Sequence, residues 1–152
     1  MPAVHGAGLN LQTLPPGPAS AEIPNVNPEK VVFGFFILLA LTLNFGFVLG
    51  EIDNPIHHHG WEFAAVFVVN AIATILKLGD RTQMGAVLLA TSLVAMLQLI
   101  AATLVWTIAM HGTQSGMTPG VTASIVSLAA GALVANVVSV VLLIIETVML
   151  RR

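Results

Sequence analysis

The stretch EIDNPIHHHGWE, residues 51–62, carries the densest set of chemically active side chains in the chain. His57, His58 and His59 follow one another among Glu51, Asp53 and Glu62. Imidazole nitrogens and carboxylate oxygens together suit zinc, copper or nickel. Successive side chains on a helix point about 100° apart, so three adjacent histidines cannot all reach one ion. His58 and Glu62, four apart, would share a helical face at a spacing that zinc sites use. Asp53 could approach from the preceding loop. His111 could complete a divalent-metal site, or pair with His58 around a haem, if its helix neighbours this one. The plainer reading is a wet helix start whose histidines pair with nearby acids and titrate near pH 6.5. No other cofactor is expected. The chain has no cysteine, which excludes thiolate nucleophiles, disulfides and cysteine-ligated iron–sulfur clusters.

The elements that must hold these groups are set by composition. Hydrophobic residues make up 57% of the 152, charged residues 8%, and mean hydropathy is +0.94. Soluble domains carry roughly 25% charged residues, so lipid is the solvent expected for most of this chain. A net charge of −2 gives no electrostatic basis for binding nucleic acid. Residues 1–29 hold six of the eight prolines and few bulky apolar side chains, the pattern of a disordered tail. No basic stretch precedes the first apolar run, so no secretory signal is expected.

Four apolar spans follow. A bilayer core of about 30 Å takes roughly 20 helical residues. Val31–Leu49 supplies nineteen uncharged positions, and Gly85–Met110 and Gly120–Ile145 supply twenty-six each. The second span, Phe63–Leu76, has only fourteen; Trp61 at the headgroup level and an outward-reaching Lys77 would extend it. Asn27-Pro28, Asn54-Pro55 and Thr118-Pro119 each set a capping side chain before a proline at the first helical position. Asp80 with Gln83 three residues on approximates a capping box. The expected fold is therefore all-α: an antiparallel bundle of four transmembrane helices, about 30–50, 55–79, 82–111 and 119–150, behind the tail.

Lys30, Lys77, Arg81, Arg151 and Arg152 all fall on one side of this arrangement, while Glu51, Asp53, Glu62 and the histidines from His57 onward fall on the other. Positive loops stay inside, so both termini are expected in the cytoplasm, with a bacterial inner membrane as the expected location.

Inside the spans, Asn44, Asn70, Gln98 and Asn136 lie near mid-helix, one per helix, as a clasp between helices or as the lining of a polar path. Ala123, Ser127, Gly131, Ala135 and Ser139 recur at four-residue spacing, a flat stripe for close approach by a helix of this bundle, a second copy or another protein. Glu146 is the one acid well inside a span and is expected to pair with Lys77 or Arg151. With only short loops, no catalytic constellation stands out and an enzyme is not expected. The leading expectation is a structural or accessory subunit packing with itself or with a larger membrane complex. The alternative is a small cation or metal transporter or channel, with the amides as its path and the outer acids and histidines as its mouth.

Overall fold

The computed structural model describes residues 27–50 and 59–149. They form four helices: α1 Pro28–Val48, α2 Gly60–Lys77, α3 Gln83–His111 and α4 Pro119–Met149. All four are long and apolar enough to cross a membrane, and no strand occurs among the described residues. The protein is an all-α membrane bundle. The tail and the segment 51–58 lie outside the described residues, and with them the Asn54-Pro55 start.

Two of the expected helix starts are seen. The Asn27 side chain accepts from the Glu29 N–H at 3.0 Å, with Pro28 opening α1. The Thr118 hydroxyl accepts from the Val121 N–H at 3.3 Å, with Pro119 opening α4. The start of α3 differs, and α2 begins at Gly60 with an extended His59 at the cap position and no side-chain cap. The cap of α3 is Thr82, whose hydroxyl accepts from Gly85 N–H at 2.9 Å. Asp80 instead braces that cap, accepting from the Thr82 N–H at 3.0 Å and its hydroxyl at 2.8 Å. A short polar side chain two residues before a cap folds the turn by this route.

Helices adjacent in sequence pack side by side, and α1 closes the ring against α4. The α3–α4 seam is the most extensive and α2–α3 the least, while the diagonal pairs barely touch. The buried positions explain the arrangement. On α1 they are Phe33, Ile37, Ala40, Asn44 and Phe47; on α3 they run Gly85, Leu88, Ser92, Ala95, Leu99, Ala102. Steps of three and four alternate, as they do on α2 and α4. That average of 3.5 keeps one stripe facing the same neighbour along a left-handed helix pair. Many of these positions are small, which lets backbones approach where lipid offers no hydrophobic drive to association. The outward faces remain apolar, from Phe35 and Phe45 on α1 to Val141 and Ile144 on α4.

The apolar core is divided. One cluster, toward the end of the bundle that carries His59 and His111, includes Phe47, Phe63, Val66, Ala95, Leu99, Ile125 and Ala135. A smaller cluster, toward the end that carries Lys30 and Lys77, holds Phe33, Ile37, Ala73 and Leu88, with Val140 packed on it.

Candidate functional site: a polar layer across the bundle

Polar side chains occupy the boundary between the two clusters. On α2, Asn70 lies between Val66 and Ala73; on α3, Ser92 lies between Leu88 and Ala95; on α4, Asn136 and Ser139 follow Ala135. All four are buried. Asn136 Nδ2 donates to Asn70 Oδ1 at 2.9 Å, joining α4 to α2 across the diagonal of the bundle. Asn70 Nδ2 donates to its own helix at the Val66 carbonyl, 2.8 Å away. Thr91 and Ser139 share a hydrogen bond of 2.6 Å between α3 and α4. Thr74 and Ser92 turn back onto the carbonyls of Asn70 and Leu88, the usual way a hydroxyl satisfies itself inside a helix.

Of the four amides expected in a belt, Asn70 and Asn136 thus meet. Asn44 and Gln98 bond to neither. The register of α1 against α4 follows from Lys30 facing Glu146 and Gly34 facing Leu143. Continued toward the His111 end, it brings Asn44 level with Ala132 and Leu133, one turn beyond Asn136. Gln98 reaches the same level from α3, where its amide rests on Gly131; a Cβ at that glycine would come within 2.6 Å of the Gln98 nitrogen. Asn44 is fully enclosed, and neither of its amide atoms has a hydrogen-bond partner in the protein. Asn136 Oδ1 and Gln98 Oε1 are likewise without one.

The four-residue ladder on α4 faces α3 only along part of its length. Ala135 and Ser139 are buried, Ala123 and Gly131 half-buried, and Ser127 exposed. Each step of four advances about 40° beyond a full turn, so such a row winds off the contact that a 3.5-residue seam maintains. Gly46 of α1 makes no close packing, since a Cβ there would meet open space.

At the end of the bundle that carries Lys30 and Lys77 the charges pair differently from expectation. Glu146 bonds Lys30 at 2.7 Å, not Lys77, because α4 neighbours α1 while α2 stands across the diagonal. Lys77 is buried rather than extended outward: its Nζ lies 3.1 Å from Asp80 Oδ2 and 4.2 Å from the centre of the Phe33 ring. Hydrogen bonds from the Thr82 backbone and hydroxyl, and secondarily Lys77, lower the Asp80 pKa to about 2. Arg151 lies outside the described residues.

At the opposite end Phe63 stacks on Trp106, centroids 5.6 Å apart, and Phe47 tilts against Phe63 at 5.3 Å. These rings tie α1, α2 and α3 together above the polar layer. His57, His58, Glu51 and Asp53 fall outside the described residues. Glu62 sits in the first turn of α2, and His111 ends α3 with Nδ1 3.3 Å from the Thr107 carbonyl. The expected i, i+4 relation between His58 and Glu62 therefore falls outside the described residues, which begin here at an extended His59. Among the described residues, no three His, Asp or Glu side chains gather as a metal site would need.

Sequence reasoning passed over Thr74, Thr91 and Ser92. Their signal was present: Ser92 and Thr74 fall on the three-and-four alternation that each helix buries.

Residues 57–147 match a family of unknown function, DUF6394. The chain belongs to that family. The matched stretch takes in α2, α3 and nearly all of α4, hence Asn70, Asn136 and Glu146, and leaves α1 with Asn44 and Lys30 outside it. No curated protein and no solved structure matches the chain.

Proposed function

We propose that this membrane protein is a structural or accessory subunit, without enzymatic activity of its own, that packs with itself or with a larger membrane complex. The observation that carries this reading is the use made of the polar groups. Asn70 with Asn136, and Thr91 with Ser139, bind one helix to another. Apolar clusters cross the bundle on either side of them. Such a core favours holding a fixed shape over passing a solute. The connections at residues 78–82 and 112–118 are too short to build a catalytic cleft, and the apolar outer faces suit lipid or partner helices equally. Mass spectrometry and cross-linking of the intact protein in mild detergent test this. A monomer that brings no partner through purification rejects it.

The second reading is a small cation or metal transporter or channel. The amide atoms of Asn44, Asn136 and Gln98 without partners favour it, since polar groups in a bilayer often line a path. Flux into proteoliposomes, lost in Asn70→Leu and Gln98→Leu variants that still fold, would support it. A divalent ion held at the outer rim by His58, Glu62, His111 and Asp53 belongs to this reading. Equal metal content in wild type and His58→Ala would remove it.

Orientation follows the charges in either case. Lys30, Lys77 and Arg81 stand at one end of the bundle, and His59, Glu62 and His111 at the other. Arg151 and Arg152 follow α4 in sequence, and the positive-inside tendency of short loops supports a reading with both termini in the cytoplasm and the protein in a bacterial inner membrane. Reporter tags at Asn54 and at either terminus test this; all on one side would refute it.

A further inference from the structure

We propose that the outer edge of the polar layer is a water-binding site, in which ordered water bridges Asn44 to Asn136 and to Gln98. Asn44 and Asn136 are fully enclosed. Asn44 lacks partners for both Oδ1 and Nδ2, and Asn136 lacks one for Oδ1 while its Nδ2 is held by Asn70. The antiparallel registers of α1 and α3 against α4 bring the Asn44 and Gln98 amides to one level, a turn from Asn136. An amide in an apolar interior without hydrogen bonds is strongly disfavoured, and a bilayer core supplies none from outside. Buried water resolves such sites when two to four polar partners converge on it.

The inventory of orphaned atoms selects the guest. Three acceptor oxygens and one donor nitrogen need partners. Water donates two protons and accepts at its oxygen, so it can serve carbonyl oxygens and the Asn44 N–H together. An alkali cation would satisfy the oxygens and leave that N–H facing a charge of its own sign. The clusters at either side, with Leu99 and Ile125 outward and Ile37 and Leu88 inward, make this a closed site. The inference holds under either functional reading, because a bound water requires no passage.

Isotope-labelled protein in lipid bilayers provides the test, by nuclear magnetic resonance edited for transfer from water protons. The expected result is transfer to the Asn44 and Asn136 side-chain signals at mixing times that leave Ala40 and Ala129 dark. Amide signals as dark as those alanines overturn the proposal. Asn44→Val should abolish transfer at Asn136 and lower the melting temperature. Undiminished transfer at Asn136, or a raised melting temperature as expected for deleting a dry, unpaired amide, overturns it. Movement of the wild-type Asn44 signals on exchanging sodium or potassium for choline at constant ionic strength would assign the site to a cation and overturn it too.

Discussion

Asn136 and Asn70 are 66 positions apart in sequence and belong to helices that otherwise barely touch, yet their side chains meet at 2.9 Å in the middle of the bundle. This bond fixes the diagonal distance between α2 and α4, which no packing contact of comparable extent does. It also fixes register, because a shift of either helix by one residue would rotate its amide about 100° away.

The first prediction concerns that bond. Asn136→Val and Asn70→Val should each destabilise the folded bundle by about 1 kcal/mol, with a coupling of roughly 0.6 kcal/mol in the double variant, the size usual for hydrogen bonds between membrane helices. Reversible unfolding in mixed micelles measures it. Strictly additive losses would mean that the two amides act separately.

Acid should unlock the turn between α2 and α3. The Asp80 carboxyl is held at a pKa of about 2, below its ordinary 3.8, chiefly by hydrogen bonds from Thr82. A lowered folded-state value contributes stability that is fully present above the ordinary value and is lost as pH falls through the folded one. The melting temperature of wild type should therefore fall more steeply than that of Asp80→Asn as pH drops from about 4 to about 2. Parallel profiles would contradict it.

Gly85 should be intolerant of a side chain. A Cβ there would run into the Asp80 carboxyl group, which Thr82 and Lys77 hold in place. Gly85→Ala is expected to cost about 1–3 kcal/mol, as overpacking does. Adding Asp80→Gly should restore part of the loss despite removing the brace. The same unfolding measurement decides, and a harmless Gly85→Ala would count against the turn as described.

The ion pair of Lys30 and Glu146 should behave asymmetrically. Lys30 is 42% exposed and Glu146 only 11%. Lys30→Met strands a largely buried carboxylate, whereas Glu146→Gln leaves an ammonium that water can reach. The first should lower stability more than the second, since an unpaired buried charge is the costlier remainder. Thermal denaturation of both variants, and of the swapped Lys30→Glu with Glu146→Lys, checks the order.

The four helices and two of their caps were legible because apolar length and Asn-Pro or Thr-Pro starts are local properties. The site was legible only in outline. Asn44, Asn70, Gln98 and Asn136 stood out as amides in apolar spans, but which of them meet depends on helix adjacency, and local sequence does not encode that. The same gap left Lys30 out of the partners expected for Glu146 (Lys77 and Arg151), when α1 in fact brings Lys30 to it. Hydropathy could not tell the inner face of a helix from the outer, because lipid and core are equally apolar. The alternation of three and four among small and polar residues could have. It would have added Thr74 and Ser92 to the layer and shown that the strict four-residue row on α4 must leave its neighbour.

The bond from the Asn70 amide to the Val66 carbonyl bears on how the protein is born. Ribosomes deliver α2 to the bilayer before α4 exists, so Asn70 must enter lipid ahead of its mate. Its two N–H groups are the more demanding half of the side chain, and one is already engaged within its own helix. The oxygen and the second N–H are left to wait. The arrival of Asn136 then closes the diagonal last, which makes the final hairpin the latch of assembly rather than an ornament added to a finished core.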